Sequence, residues 1–218
     1  MIVTIDGPAG AGKSTVARLL AERLGFSFLN TGAMYRAVAL AAMQAGVDWD
    51  DAAGLAALAA RIDLQVEEDQ VWLDGRDVSR EIRSGDVTRN TRHVADHGGI
   101  RGQLVELQRK LASGGDYVTD GRDQGTVAFP DAACKFFLTA SPAERARRRQ
   151  QDLEKQGVAM PLEQLVQEQT VRDDQDTARP VGALKKATDA IELETDDLTL
   201  AEVVDQLEAI VRRQMTAE

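Results

Sequence analysis

One stretch, Gly7-Pro-Ala-Gly-Ala-Gly-Lys-Ser14, constrains this chain more than any other. It matches G-x-x-x-x-G-K-[ST], follows the β-branched run Ile2–Ile5, and opens a segment in which Val16, Leu19, Leu20 and Leu24 recur at helical spacing. A strand that runs through a glycine loop into a helix curls its backbone N–H groups around an anion and aims the positive end of the helix at it. The reading is a nucleoside triphosphate site built from Gly7, Pro8, Ala9, Gly10, Ala11, Gly12, Lys13, Ser14 and Thr15. Lys13 reaches the β- and γ-phosphates and is a catalytic candidate; the Ser14 hydroxyl ligates Mg²⁺, with Thr15 as its neighbour.

The segments beyond the loop predict an α/β fold of the P-loop NTPase type, three layers deep, with a parallel five-stranded core sheet. Gly25 stops the first helix, and Phe26–Leu29, Tyr117–Thr119, Lys135–Leu138 and Ala190–Leu193 read as the other four strands. Ser141-Pro-Ala-Glu144 and Thr199-Leu-Ala-Glu202 read as capping boxes, the second opening a helix with Leu200, Val203, Val204, Leu207, Ile210 and Val211 on one face. Residues 62–66 and 70–78 alternate partly, with a hairpin signal at Asp74-Gly75, and predict a small antiparallel insert. The charged stretch 145–179, with Gly157 and Pro161 as flanks of a mobile segment, predicts a helical lid. One domain spans 1–218: core 1–35, 100–144 and 180–218; an acceptor-binding region 36–99 that carries the insert; lid 145–179.

Composition narrows the function. With 218 residues and 43% hydrophobic, the chain can bury a real core. A formal net charge of −10 argues against binding nucleic acid through bulk charge. The single cysteine, Cys134, allows no intrachain disulfide and points to a reducing compartment. The N-terminus lacks the marks of a signal peptide, and no apolar run approaches the roughly 18 residues of a membrane span. A cytoplasmic monomer without nucleic-acid or membrane partners is expected. No [NT]-K-x-D base-reading motif accompanies the loop, and the D-x-x-G spacings at Asp51 and Asp96 follow no predicted strand, which weakens a GTPase reading.

An acceptor for the phosphoryl group is suggested by four arginine-bearing stretches: "NTGAMYR" (30–36), "IRGQL" around Arg101, "TDGRDQGTVAFPDA" (119–132) and "RDDQDTAR" (172–179). The first and third fall at the carboxyl ends of predicted strands, where open α/β sheets bind ligands. Arginine grips phosphate with a planar fork and keeps its charge. Asp120, ending an apolar strand, is a candidate partner of Mg²⁺ through water, or simply a turn carboxylate. His93 and His97 read as neighbours of Arg101 on one helix with a structural or surface role, Cys134 as a core residue, and Trp49 and Trp72 as packing anchors. A kinase for another anionic acceptor and a nucleotide-dependent switch remain as alternatives, separable by whether a monophosphate accelerates turnover.

Taken together, the phosphate loop, "TGAMYR", "DGRDQGTVAFPDA" and "RDDQDTARP" resemble bacterial cytidylate kinase over nearly the whole chain, including the antiparallel insert. The resemblance implies transfer of the γ-phosphoryl group of ATP, with Mg²⁺, to CMP or dCMP. It implies that Arg36, Arg122 and Arg179 hold the acceptor phosphate, Arg101 and Asp123 read cytosine, Arg172 and Asp176 contact the sugar, and Thr31 lines the pocket. Arg148, with Arg145, Arg147 and Arg149 beside it, falls in the lid, and Lys13, Arg122, Arg148 and Arg179 form the implied catalytic set. Two positions depart from the family pattern: Asn30 stands where aspartate is frequent, and Arg92 where a base-contacting serine can occur.

Overall fold

The computed structural model describes residues 1–67, 70–155 and 157–216. In chain order the elements are β1 (Ile2–Asp6), α1 (Lys13–Leu24), β2 (Ser27–Asn30), α2 (Thr31–Ala45), α3 (Ala52–Arg61), β3 (Leu64–Glu67), β4 (Gln70–Leu73) and β5 (Arg76–Asp77). A short 3₁₀ turn (Glu81–Arg83) leads to α4 (Gly85–Ala95), α5 (Gly98–Leu111), β6 (Tyr117–Gly121), a π turn (Gln124–Ala128), β7 (Cys134–Thr139), α6 (Pro142–Lys155), α7 (Leu162–Ala178), β8 (Ile191–Glu194) and α8 (Leu200–Met215).

The five expected core strands form one parallel sheet in the order β2-β6-β1-β7-β8. Because strand side chains alternate between faces, Val3, Ile5, Phe28, Val118, Phe136 and Leu138 share one face and pack with Val16 and Leu20 of α1 and Val204 and Leu207 of α8. Leu29 and Tyr117, one position out of phase, join the opposite cluster with Met34 and Val38 of α2 and Ile100 and Leu104 of α5. The three layers thus follow from the period-2 pattern of the strands. Asn30, Asp120 and Asp6 stand close together at the carboxyl edge, where β2, β6 and β1 pair in register.

The insert is a three-stranded antiparallel sheet, β3-β4-β5. Residues 70–78 do not form one strand; they turn back at Asp74-Gly75, where the dipeptide supplies the left-handed backbone a tight hairpin needs. The Thr199 box closes in both directions, as the sequence predicts. The Ser141 box closes in one: Glu144 N donates to Ser141 Oγ at 3.2 Å, but Ser141 N donates to Asp196 at 2.7 Å, while the Glu144 carboxylate takes Arg147 and Arg148. His93 and His97 do not share a helix. α4 ends at Ala95, and His97 is the N-cap of α5, its ring accepting from Ile100 N at 3.2 Å; His93 stacks on Trp49 at 4.9 Å. The lid region is a helical hairpin, α6 against α7, around Ala146, Leu153 and Leu165. Gly157 and Pro161 sit at the turn between its helices rather than at its ends; residue 156, within the expected lid, lies outside the described residues. Among the described residues no helix is long and apolar enough to cross a membrane.

Candidate active site

The loop between β1 and α1 bends because its glycines take backbone conformations that side chains resist. Gly7 has φ 146° and lies against β7, where a Cβ would stand 2.0 Å from the Leu138 carbonyl. Lys13 is buried, its Nζ donating to the Pro8 carbonyl at 2.6 Å. Burial, then repulsion from Arg122 and Arg172, holds its ammonium well below the usual lysine range, with Asp120 pulling the other way. A lysine in that state gains most from an arriving polyphosphate.

Ser14 Oγ donates to Asp120 Oδ2 at 2.5 Å across the β1–β6 edge. Asp120 Oδ1 is buried and has no hydrogen-bond partner. A hydroxyl and a carboxylate with an unused oxygen suit a hard divalent cation and its waters. The Asp120 carbonyl accepts from Thr31 Oγ1 at 2.6 Å, so Thr31 is spent on fixing the β2–β6 edge. Asn30 caps α2 by accepting from Ala33 N at 3.0 Å, a task an uncharged amide performs as well as a carboxylate.

Arg122, Arg172 and Arg179 gather around Asp176 beyond this edge, and Arg36 lies in the field of Asp120. Asp176 braces two of them: its Oδ2 takes Arg122 Nε at 2.7 Å and its Oδ1 takes Arg179 Nη2 at 2.6 Å. Arg179 Nε also reaches Asp96 at 2.8 Å. Burial by itself would raise Asp176, but Arg122, Arg179 and Arg172 pull it below the ordinary carboxylate range. Burial would lower Arg179, yet Asp96 and Asp176 outweigh it. Arg36 is held lower by burial, and its Nε is buried with no partner. Arg172 stays exposed at the rim. The result is a cationic cleft in an acidic chain, its arginines braced from the side.

Arg101 and Asp123 form an ion pair beside this cluster, each side chain 4% exposed. Arg101 also donates to the carbonyls of Ala95 at 3.0 Å and Gly182 at 3.3 Å, and its guanidinium lies 5.3 Å from the centre of the Tyr35 ring. The Tyr35 hydroxyl and Arg101 Nε are buried without partners.

The lid arginines diverge. Arg145 is buried and turned back onto the phosphate loop, donating to Ala9 O and Gln169 at 3.0 Å each and pairing with Asp173 at 2.5 Å. Arg147 is exposed on Glu144, and Arg149 is exposed. Arg148 is tied to Thr195 at 2.8 and 3.1 Å, next to Gly12. Arg92 is exposed on α4.

Sequence reading missed Asp6, Gly182 and the use of Arg145. Asp6 accepts from Gln124 N at 2.9 Å and Gly125 N at 2.7 Å, and burial pushes its carboxyl up to about 6. Only its place directly before the glycine loop marked it in the sequence.

Comparison with known proteins bears on this geometry. The cytidylate kinase family profile matches residues 3–213. A cytidylate kinase of Rhodopirellula baltica is 50% identical over 217 residues, covering 100% of this chain and 95% of the relative. One from Pelotomaculum thermopropionicum is 50% identical over 96% of this chain and 95% of the relative. Among solved structures, a gluconokinase from Sinorhizobium meliloti 1021 superposes with a TM-score of 0.50 at 18% identity, covering 97% of this chain and 91% of that one, a likeness of fold alone. The loop, the braced arginines and these matches agree: the chain belongs to the cytidylate kinase family of nucleoside monophosphate kinases.

Proposed function

We propose that this chain transfers the γ-phosphoryl group of ATP to CMP or dCMP, with donor and acceptor meeting over the carboxyl edge of β1 and β6. The observation that carries the reading is the adjacency of two recognition elements. Arg122 belongs to the arginine cluster, and the next residue, Asp123, belongs to the buried pair with Arg101. A ligand that satisfies both carries a phosphate and a base at fixed separation.

The triphosphate lies in the loop of residues 7–15, with Lys13 on its outer phosphates. Ser14 and Asp120 would hold Mg²⁺, Asp120 through water; when bound, the ion neutralises charge on the phosphate oxygens. Arg36, Arg122 and Arg179 grip the acceptor phosphate, Arg172 and Asp176 face its sugar, and Thr31 closes the pocket wall. An oxygen of the acceptor phosphate forms a bond to the γ-phosphorus as the bond to the β,γ-bridging oxygen breaks, leaving ADP. The acceptor oxygen is already ionised at neutral pH, so no general base is required. Catalysis is alignment and charge compensation by Lys13, Arg122, Arg179 and Arg148.

Arg101 and Asp123 supply the base choice. Cytosine offers a 4-amino donor beside the N3 acceptor; uracil reverses both. The Asp123 carboxylate accepts from the amino group and repels the uracil oxygen, while Arg101 donates to acceptors on the ring. Bringing α6 and α7 over the loop excludes water as a competing acceptor. A lone Cys134, which allows no intrachain disulfide, suits a reducing compartment, and a cytoplasmic monomer is our reading.

The test is ADP release with ATP and Mg²⁺ against CMP, dCMP, UMP, AMP and no acceptor. Turnover concentrated on CMP and dCMP supports the assignment. Slow hydrolysis that no monophosphate accelerates refutes it.

A further inference from the structure

Asp123 stands at the head of the π turn Gln124–Ala128, yet its own side chain does not cap that turn. This is unusual, because an aspartate at such a position ordinarily folds its carboxylate back onto the amides two and three residues on. Here the first amides are taken by another residue. Asp6, 118 positions away at the end of β1, accepts from Gln124 N with Oδ1 and from Gly125 N with Oδ2. The carboxylate of Asp123 is thereby released to face Arg101.

The far end of the turn is held the same way. Arg109 donates from Nε to Ala128 O at 2.7 Å and from Nη2 to Val127 O at 2.8 Å. Its first residue, Gln124, is also pinned through its side chain, whose Oε1 accepts from Thr119 Oγ1 at 2.6 Å and whose Nε2 donates to Gln108 at 3.3 Å. Arg101, Gln108 and Arg109 all lie on α5. The helix carrying the donor half of the buried pair therefore also grips the turn carrying the acceptor half. π turns are short and open, leave main-chain groups unpaired at both ends, and collect at functional sites.

We propose that Asp6 and Arg109 are positioning residues for base selection: by capping the two ends of the 124–128 turn from outside, they keep the Asp123 carboxylate in the base pocket instead of on its own backbone. The inference rests on Arg101 and Asp123 being the base readers. Without Asp6, two buried amides lose their acceptor, and the Asp123 carboxylate can turn back onto the Gly125 amide two residues on. Asp6 also directly precedes Gly7, so the residue that orders base reading anchors the first residue of the phosphate loop.

The experiment measures kcat/KM for CMP and for UMP, and KM for ATP, in wild type, Asp6→Asn, Asp6→Ala, Arg109→Met and Asp123→Asn, with Tm as the folding control. Arg109 is exposed, so Arg109→Met keeps the test decisive even where an Asp6 variant fails to fold. Arg109→Met lowers the CMP-over-UMP ratio by about 5- to 20-fold, the worth of one to two modest hydrogen bonds, with ATP KM within about twofold of wild type. Asp6→Ala lowers the ratio further, and Asp6→Asn, which keeps one acceptor oxygen, falls between it and wild type. If Asp123→Asn abolishes the preference while Arg109→Met and folded Asp6→Asn leave it at the wild-type value, the positioning role is wrong and base reading stands. If Asp123→Asn also leaves it unchanged, the assignment of the base readers fails, and the positioning role with it.

Discussion

Gly182 offers the sharpest test of the buried pair. It lies in the segment after α7 with φ 68°, and a Cβ there would stand 2.0 Å from Arg101 Nη2, 2.4 Å from Arg101 Cζ and 2.3 Å from Asp123 Oδ2. Gly182→Ala therefore carries two costs. The left-handed backbone costs an L-residue about 1–2 kcal/mol. The methyl also has to push apart an ion pair whose side chains are each 4% exposed. Removing a partner from a buried pair costs about 3–5 kcal/mol, and displacement costs less, so the total destabilisation is about 2–5 kcal/mol. Base reading suffers separately: losing one charge-assisted hydrogen bond of about 1.5–3 kcal/mol lowers kcat/KM for CMP about 10- to 150-fold. Gly25→Ala isolates the backbone cost, because Gly25 has φ 71° and nothing within 4 Å of where its methyl would stand. Urea unfolding and steady-state kinetics on both variants, with CMP and UMP, read the two costs independently. If Gly182→Ala matches Gly25→Ala in stability and in CMP kinetics, the pair is not held as described, and the Arg101–Asp123 contact has no part in base reading.

Other outcomes follow from the same geometry. Asp6 titrates at about 6 in the fold against 3.8 for an ordinary aspartate, so between these values the native state holds a proton that the unfolded chain has released; its contribution to stability falls as pH rises through that interval, by about 3 kcal/mol in all. Urea unfolding from pH 4 to 7 shows this as a slope present in wild type and missing from Asp6→Asn, and parallel curves refute it. Ser14→Ala removes the hydroxyl on Asp120 and lowers kcat about 10- to 100-fold, partly restored by excess Mg²⁺; a variant whose Mg²⁺ dependence matches wild type excludes Ser14 as a ligand. Arg148→Ala, which frees Thr195 beside the phosphate loop, lowers the single-turnover rate about tenfold or more while the CMP dissociation constant moves less than about twofold, and a wild-type rate removes Arg148 from transfer.

The phosphate loop, the five strands and the hairpin at Asp74-Gly75 were legible in the sequence because each is written in local code. Glycine spacing, a period of two, a helical period and a turn dipeptide all act within a few residues. The arginines were legible as a group, since two of their four stretches fall at strand ends. Their partners were not. Asp176 bracing Arg122 and Arg179, and Asp96 meeting Arg179, depend on how α7 crosses the sheet edge. The break between His93 and His97 was missed because a histidine N-cap competes weakly with helical periodicity until its ring finds Ile100 N. Arg145 and Arg148 look alike in the string "ERARRR", but one helical turn sends the first into the core against Ala9 O and leaves the second on Thr195. Asp6 falls between the predicted strand Ile2–Ile5 and the glycine loop, and only the parallel pairing of β1 with β6 carries its carboxylate to the amides of Gln124 and Gly125. Sequence alone thus determined which elements form and what chemistry they carry, because those signals are short-range. The tertiary structure decided which charged side chain braces which neighbour, because that choice is made by partners far away along the chain, more than a hundred residues in the case of Asp6.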